Sequence, residues 1–250
     1  MLSLVLTAWI ASVPPTTDAE RRAWVARVSR DELGTFLRTT PTDALLALSE
    51  RAILALGTYT YLMTKRERVR GVLLEEQVIR VIARERPFAA RLDYELGPGQ
   101  GRVVVYNSAA SPDQFRVHEG GFLSFAGPMW IAVDSVMAKT DSNHTVKEAG
   151  LGNLVARLRR EVQRAAGLGG IHVTDEGWNQ DGQYCQLYQM PSGGRGFEYF
   201  KTRVCVDLVT GIPVKVESYD GDGTLLERYA FSELKAVRVS DSTFDPAQTL

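Results

Sequence analysis

Residues 58–95 constrain the fold of this chain more than any other stretch, because they have the pattern of three consecutive β-strands. Successive side chains of a strand point to opposite faces of a sheet. In the first strand, residues of one parity are aromatic or apolar: Tyr59, Tyr61 and Met63. Residues of the other parity become basic: Arg66, Arg68 and Arg70. This strand therefore predicts a sheet with one apolar face. That face would pack against the protein's own helices or contact a ligand.

Lys65 and Glu67 have the same parity as those apolar residues. We therefore expect them to form an inward-facing pair near the opening of a cavity, where they would meet a lipid headgroup or a peptide. The alternative is a β-bulge, which shifts facing by one residue and would rotate both side chains into solvent. The basic residues on the other face would touch anionic lipid or form an ordinary solvated surface.

The chain is long enough for one large hydrophobic core. It has 250 residues, of which 44% are hydrophobic, and a chain of this size buries roughly 70–75% of the surface of its unfolded form. No linker, low-complexity tract or internal repeat divides it, so residues 18–250 are predicted to form a single domain. The net charge of −1 gives no strongly basic surface, which argues against nucleic acid as a partner.

The N-terminus contains an apolar run over residues 2–13, which is shorter than the roughly 20 residues needed to cross a bilayer. The run resembles the hydrophobic region of a secretory signal peptide within residues 1–17, although no Lys or Arg precedes it. The alternative is a buried N-terminal segment. Export would place the protein in the periplasm. Since no later stretch is long and apolar enough to span a membrane, we expect it to be soluble or peripherally membrane-associated there.

The two cysteines, Cys185 and Cys205, flank residues 191–196, a Gly-rich stretch typical of a hairpin loop. If the flanking strands pair across this loop, the two Cα atoms would lie roughly 5.5 Å apart, close enough for a disulfide. A disulfide would fit an oxidising compartment. Two unpaired buried thiols are the alternative.

The rest of the chain alternates between helical and extended patterns. A helix is predicted over residues 18–38, and near-helical leucine spacing predicts a second one that ends at Gly57. Strands follow as far as Phe125, including short ones at residues 114–119 and 122–125. Residues 128–139 are predicted to be a loop with a helical turn. An apolar stripe predicts a helix from Leu151, and strands return after residue 170.

An ordered series of motifs resembles a bacterial family of domains of unknown function, number 1571. The series consists of Tyr59-Thr60-Tyr61, Lys65-Arg66-Glu67-Arg68-Val69, Arg86-Pro87-Phe88, Val104-Val105-Tyr106, His118-Glu119-Gly120-Gly121, Glu148-Ala149-Gly150-Leu151 and Phe244-Asp245-Pro246. That family is related to the LolA-like superfamily, which includes periplasmic lipoprotein carriers. The resemblance implies an α+β fold, an unclosed antiparallel β-barrel (half-barrel) whose helices cover the concave face. It also implies a hydrophobic cavity, and it supplies no catalytic residues.

Apolar residues of the strands and loops are candidates for the lining of that cavity. They are Tyr59, Tyr61, Met63, Leu92, Tyr94, Val103, Val105, Phe115, Val117, Phe122, Phe125, Met129 and Trp130. The alternative is that these residues only form the core between the sheet and the helices.

Patterns for catalysis and metal binding are weak. The three histidines, His118, His144 and His172, lie far apart in the sequence and lack the spacing of a metal site, so no metal or other cofactor is predicted. The favoured function is a non-enzymatic periplasmic carrier or binding protein for a lipid, a lipoprotein acyl chain or another apolar ligand. The alternatives are an envelope sensor or adaptor that binds a protein partner, and a cofactor-free enzyme that uses the same cavity.

Overall fold

The computed structural model describes Ala19, Ala23 and residues 25–191, 196–207 and 210–247. The predicted export signal at residues 1–17 lies outside the described residues. Within them, no helix has the length and apolar character needed to cross a membrane.

Helices α1 to α3 cover Arg30–Thr39, Thr42–Leu56 and Leu151–Ala166. A capping box starts α1. The Ser29 hydroxyl accepts a hydrogen bond from the Glu32 amide (3.2 Å), and the Glu32 carboxylate accepts one from the Ser29 amide (2.9 Å). The predicted helix over residues 18–38 is therefore wrong in extent, because residues 26–29 are not helical and α1 starts afresh. The predicted end of α2 at Gly57 is correct, and a φ of 66° favours glycine there.

The strands form one antiparallel sheet. They are β1 Thr58–Val69, β2 Val72–Leu73, β3 Gln77–Arg84, β4 Ala89–Leu96, β5 Val103–Asn107, β6 Gln114–His118, β7 Met129–Ala132, β8 His172–Trp178, β9 Tyr184–Gln189, β10 Lys201–Val206, β11 Pro213–Tyr219 and β12 Leu225–Ala236. Their order in space is β7-β6-β5-β4-β3-β1-β12-β11-β10-β9-β8, with β2 paired to β1 outside this path. Since β7 and β8 end the path without pairing to each other, the sheet is unclosed, and the predicted fold class is confirmed.

β1, the first of the strands predicted within residues 58–95, lies near the centre of the sheet between β3 and β12. One row of side chains runs from it across the neighbouring strands: Tyr61, Val81, Leu92, Val104, Val117 and Met129. α2 and α3 cover this inner face, where Ile53, Leu151, Leu154 and Val155 join the same buried core. The apolar residues of β1 that share one parity, such as Tyr61 and Met63, thus lie on the inner face, as the alternation of the strand predicts.

The outer face of the sheet is covered in part by the segment after β12. The buried side chain of Phe244 packs under the Arg84 guanidinium, and the Phe244 carbonyl accepts a hydrogen bond from Asn107 Nδ2 at 3.2 Å. Arg116 donates to the Pro246 carbonyl at 2.9 Å. The outer face therefore also buries apolar side chains, such as Val105 on β5.

Two elements between β6 and α3 differ from their prediction. Residues 122–125 belong to a 3₁₀ helix, Gly121–Ala126, instead of a strand, and the predicted loop contains β7. Gly120 gives the physical reason, because a Cβ there would lie 2.1 Å from the carbonyl oxygen of Gln100. The chain passes tightly against the β4–β5 turn at this point and cannot form a hairpin with β6. β7 pairs with β6 instead.

Cys185 and Cys205 are directly opposite each other on β9 and β10, and their sulfur atoms are bonded at 2.02 Å. Both residues are buried. The hairpin register on which the predicted disulfide depends is therefore present.

Reduction of this disulfide is expected to lower the free energy of unfolding by about 3 kcal/mol, because the bond closes a loop with a sequence separation of 20. Urea denaturation with and without a thiol reductant measures the change. The Cys185→Ala/Cys205→Ala double variant serves as the control and should show no effect of reductant. An unchanged midpoint for the reduced wild-type protein would contradict the expectation.

Candidate functional site

A cavity of about 460 Å³ lies between the inner face of the sheet, α3 and the segment that connects β7 to α3. Residues 137–150 of that segment, which we call the strap, form one side of the cavity. Pockets for small ligands usually have volumes of about 300–1,000 Å³. The cavity is therefore large enough to hold a small molecule or part of a lipid.

The strands of the sheet contribute a continuous apolar part of the cavity wall. This part consists of Tyr61, Met63, Ile79, Leu92, Val104, Phe115, Val117, Met129, Ile131 and Phe231, with Leu154 of α3 opposite. The hydroxyl of Tyr61 donates to the Ala149 carbonyl, so its polar end is occupied by the strap. The ring of Tyr61 is left to face the cavity as apolar surface.

The structure brings many of the predicted lining residues together. Those that line the cavity are Tyr61, Met63, Lys65, Glu67, Leu92, Tyr94, Phe115, Val117 and Met129. Tyr59 lies behind this wall, where its hydroxyl donates to the Glu85 carboxylate (2.5 Å) and accepts from the Leu151 amide (2.9 Å). Tyr59 thus fixes the start of α3 against the sheet.

The remaining predicted lining residues do not line the cavity. On β5, Val104 faces it, and strand alternation turns Val103 and Val105 to the outer face. Trp130 also points outward and stacks on Arg116. Phe122 and Phe125 are 88% and 75% exposed, because the 3₁₀ helix carries them away from the sheet.

Lys65 and Glu67 face inward, as their parity predicts, and no bulge rotates them into solvent. They are 5% and 2% exposed, and Lys65 Nζ lies 3.2 Å from the Glu67 carboxylate. Burial alone would lower the pKa of Lys65, but Glu67, Tyr94 and Asp141 together outweigh it and raise that pKa. Burial would raise the pKa of Glu67, but Lys65 and the Tyr229 hydroxyl lower it. Both groups are therefore charged at neutral pH.

Glu67 joins the strap to the sheet. Its carboxylate accepts hydrogen bonds from the Asn143 amide (2.6 Å), the Ser142 hydroxyl (2.9 Å) and the Tyr229 hydroxyl (2.6 Å). Lys65 Nζ donates to the Asp141 carbonyl at 3.4 Å. One buried ion pair on β1 thus holds three consecutive residues of the strap.

Glu227 forms a second buried centre beside the first, because β12 pairs with β1 so that Glu227 lies directly opposite Glu67. Its carboxylate accepts hydrogen bonds from His144 Nε2 (2.7 Å), Tyr199 (2.7 Å) and Ser218 (3.0 Å). The other ring nitrogen, His144 Nδ1, lies 2.6 Å from the Glu148 carboxylate. The strap is therefore attached to the sheet at two neighbouring carboxylates.

The charge of His144 follows from these contacts. Burial disfavours the protonated ring, but hydrogen bonds to Glu148 and Glu227 outweigh it and raise the pKa of His144 to about 9. Arg157 Nη1 lies 3.0 Å from both ring nitrogens, so the guanidinium is in direct contact with the imidazole. Burial would raise the pKa of Glu227. The hydrogen bond and the charge of His144 act in the opposite direction, and the pKa of Glu227 is lowered.

This cluster has the composition of a catalytic site but not its geometry. A histidine that acts as a general base needs a free ring nitrogen near neutral pH, whereas both nitrogens of His144 face carboxylates. Burial, followed by the nearby Glu227 charge, raises the pKa of the Tyr199 phenol, so the phenol is neutral. Among the described residues, no group of three or more His, Cys, Asp or Glu side chains is placed to hold a metal ion. The cluster is suited to attach the strap to β12 through buried charged groups.

The sequence contains a pattern that indicates an inward-facing Glu227, although Glu227 is not among the predicted site residues. Glu227 shares strand parity with Tyr229 and Phe231, which is the same pattern of an acidic residue on an apolar face that identified Glu67. His144, by contrast, lies in an irregular segment, and no local pattern indicates its contact with β12.

Three solved structures illustrate what the fold is similar to. The Mycobacterium tuberculosis lipoprotein LppX is 16% identical with a TM-score of 0.45, and the match covers 80% of this chain and 99% of that one. A putative outer membrane lipoprotein-sorting protein domain from Vibrio parahaemolyticus is 13% identical with a TM-score of 0.41, covering 80% and 94%. The Pseudomonas aeruginosa MucA/MucB complex gives 13% identity and a TM-score of 0.46, covering 82% and 61%.

No curated protein sequence matches the chain significantly. The sequence profile of one family, described as "Protein of unknown function (DUF1571)", matches residues 56–249. That region is most of the chain and contains the whole sheet, the strap and α3. The resemblance stated from the motifs is therefore confirmed, and the chain belongs to the DUF1571 family.

Proposed function

We propose that this protein is a non-enzymatic periplasmic binding or carrier protein, which holds a lipid or the acyl chain of a lipoprotein in the cavity. The observation that carries the proposal is the apolar wall formed by the inner face of the sheet. The apolar N-terminal run supports export. The bonded cysteine pair fits an oxidising compartment.

The energetics of such binding are favourable. Each CH₂ group moved from water into an apolar cavity contributes about 0.8 kcal/mol. Burial of about ten CH₂ groups would supply roughly 8 kcal/mol, which corresponds to a dissociation constant near 1 μM before the ordering of the chain is subtracted. The proposed ligand therefore needs one acyl chain and no covalent chemistry.

Filling the cavity tests the proposal. We expect Val104→Trp to reduce uptake of a fluorescent fatty acid by about tenfold or more, because the indole would occupy space at the centre of the apolar wall. Because the new side chain enters existing space, we expect it to destabilise the fold by less than the about 1–3 kcal/mol typical of overpacking. Leu96→Trp, at an exposed position on β4, is the control and should bind normally.

Native mass spectrometry and lipid extraction of the same proteins complete the test. The wild-type protein purified from a bacterial periplasm should carry or take up lipid, and the Val104→Trp variant should not. A folded wild-type protein that carries none and takes up none would refute the proposal.

A further inference from the structure

The charged side chains that line the cavity are not evenly matched. All acidic residues of the lining have a cationic partner within 3.2 Å: Glu67 with Lys65, Glu119 and Asp141 with Arg102, and Glu148 with His144. Arg157 also has partners, because Glu198 and Glu227 both lie 3.5 Å from its guanidinium. Each acidic side chain of the lining therefore already has a cationic partner, and Arg102 is shared between two of them.

Two cations of the lining are left over. Lys147 belongs to the strap and Arg160 to α3, and within the described part of the chain neither side chain has an ion pair or a hydrogen bond. Lys147 is half-buried and Arg160 is exposed. Among the described residues, the cavity thus presents two cations that have no carboxylate in contact with them.

The exposed members of the lining show where the cavity opens. They are Met137, Thr140, Glu148 and Arg160, whereas the lining residues contributed by the strands are buried or half-buried. The opening therefore lies between the strap and α3, and the apolar wall lies deeper. An amphiphile with its chain against the sheet would have its polar end at this opening.

We propose that the cavity selects amphiphiles with an anionic head group, a carboxylate or a phosphate, which Lys147 and Arg160 attract while the acyl chain lies against the sheet. This inference rests on the proposed function and specifies the ligand class. A neutral or cationic head group would leave both cations without a counter-charge. A fatty acid and a lipid phosphate share the required chemistry.

The size of the effect follows from the exposure of the two cations. Partly exposed ion pairs are screened by solvent and salt, so each contributes modestly. We expect the Lys147→Gln/Arg160→Gln double variant to bind an anionic amphiphile about tenfold more weakly than the wild-type protein. Added salt should reduce the difference between the two proteins.

The experiment compares ligands that share one chain and differ in head group. Dodecanoate, dodecyl phosphate, dodecanol and dodecyltrimethylammonium are titrated calorimetrically, below their micellar concentrations, into the intact protein. We expect both anions to bind more tightly than dodecanol, and the cation to bind most weakly. The double variant should lose affinity for the anions and keep its affinity for dodecanol, and the tighter of the two anions identifies the preferred head group.

A charge-matched control removes two exposed cations outside the cavity, Arg51→Gln/Arg238→Gln, and should leave all affinities unchanged. Equal binding of dodecanol and the anions, with no change in the Lys147→Gln/Arg160→Gln variant, would overturn this inference and leave the proposed function intact. Failure of all four ligands to bind would overturn both.

Discussion

Replacement of Glu67 by alanine is expected to lower the free energy of unfolding by about 3–5 kcal/mol. The substitution leaves the Lys65 ammonium buried without its counter-charge at 3.2 Å. It also removes the acceptor for the Asn143 amide and for the Ser142 and Tyr229 hydroxyls. A buried donor without an acceptor adds its own cost of about 1–3 kcal/mol. Urea denaturation measures the change.

A second variant separates the charge from the hydrogen bonds. Lys65→Met/Glu67→Gln removes both charges, while the amide oxygen can still accept from the strap. Since replacing both members of a buried ion pair is often close to neutral, we expect this double variant to lose less than about 1.5 kcal/mol. If it loses as much as Glu67→Ala, the unpaired charge is not the cause of the destabilisation.

Amide hydrogen exchange locates the effect of Glu67→Ala in the molecule. The Asn143 amide should exchange much faster, because its acceptor at 2.6 Å is gone. The Cys185 amide, on strand β9, should exchange faster only as far as global unfolding requires. A uniform increase over both sites would mean that Glu67 stabilises the whole fold and not the strap in particular.

Strand alternation made the centre of the site predictable from sequence. The parity of β1 is unbroken from Met63 to Glu67, so Lys65 and Glu67 must share a face with Met63, and the structure places them there. The position of the two cysteines on either side of the loop at residues 191–196 likewise indicates that Cys185 lies opposite Cys205. The facing of the two charged residues and the register of the two cysteines can be read from the sequence because each depends on one strand or one hairpin.

The same rule failed on β5 because the strand is apolar on both faces. Alternation cannot choose between Val104 and its neighbours Val103 and Val105 when all are valines. The choice depends on the C-terminal segment around Phe244, which covers the outer face from more than 100 residues away in sequence. Phe122 and Phe125 were misplaced because the tight passage at Gly120 is a tertiary contact.

The polar cluster around His144 could not be predicted for the same reason. Its members come from the strap, α3, β12 and the segment before β10, and the sequence separation between His144 and Glu227 is 83. Their encounter depends on β12 pairing with β1, a contact between the two ends of the domain. The cluster therefore becomes visible only when the sheet order is known.

Protonation of His144 makes the stability of the fold depend on pH. The folded pKa is about 9, above the ordinary value of 6.5. Below pH 6.5 the ring is charged in both the folded and the unfolded state, so the stabilisation by Glu148 and Glu227 is fully present. As pH rises from 6.5 to about 9, the unfolded chain loses this proton first, and the stabilisation decreases until the folded ring also loses it.

We therefore expect the free energy of unfolding to fall by about 2–3 kcal/mol between pH 6.5 and about 9. The groups that face the ring set the sign: Glu148 and Glu227 favour its charge, Glu198 lies 4.0 Å away on the same side, and Arg157 opposes it. Tyr199 donates to Glu227 and stays neutral in this range. Urea denaturation across the pH range measures the slope.

His144→Gln should remove this slope, because glutamine can contact the same carboxylates without titrating. His172→Gln, at an exposed position on β8, is the matched control and should keep the wild-type slope. A His144→Gln variant that still loses stability between pH 6.5 and 9 would assign the dependence to another group. His144 connects the strap to Glu227. In the wild-type protein, the amide protection of residues 141–149 should therefore decrease over the same pH range, whereas in His144→Gln it should not change with pH once intrinsic exchange rates are taken into account, which ties the titration to the wall of the cavity.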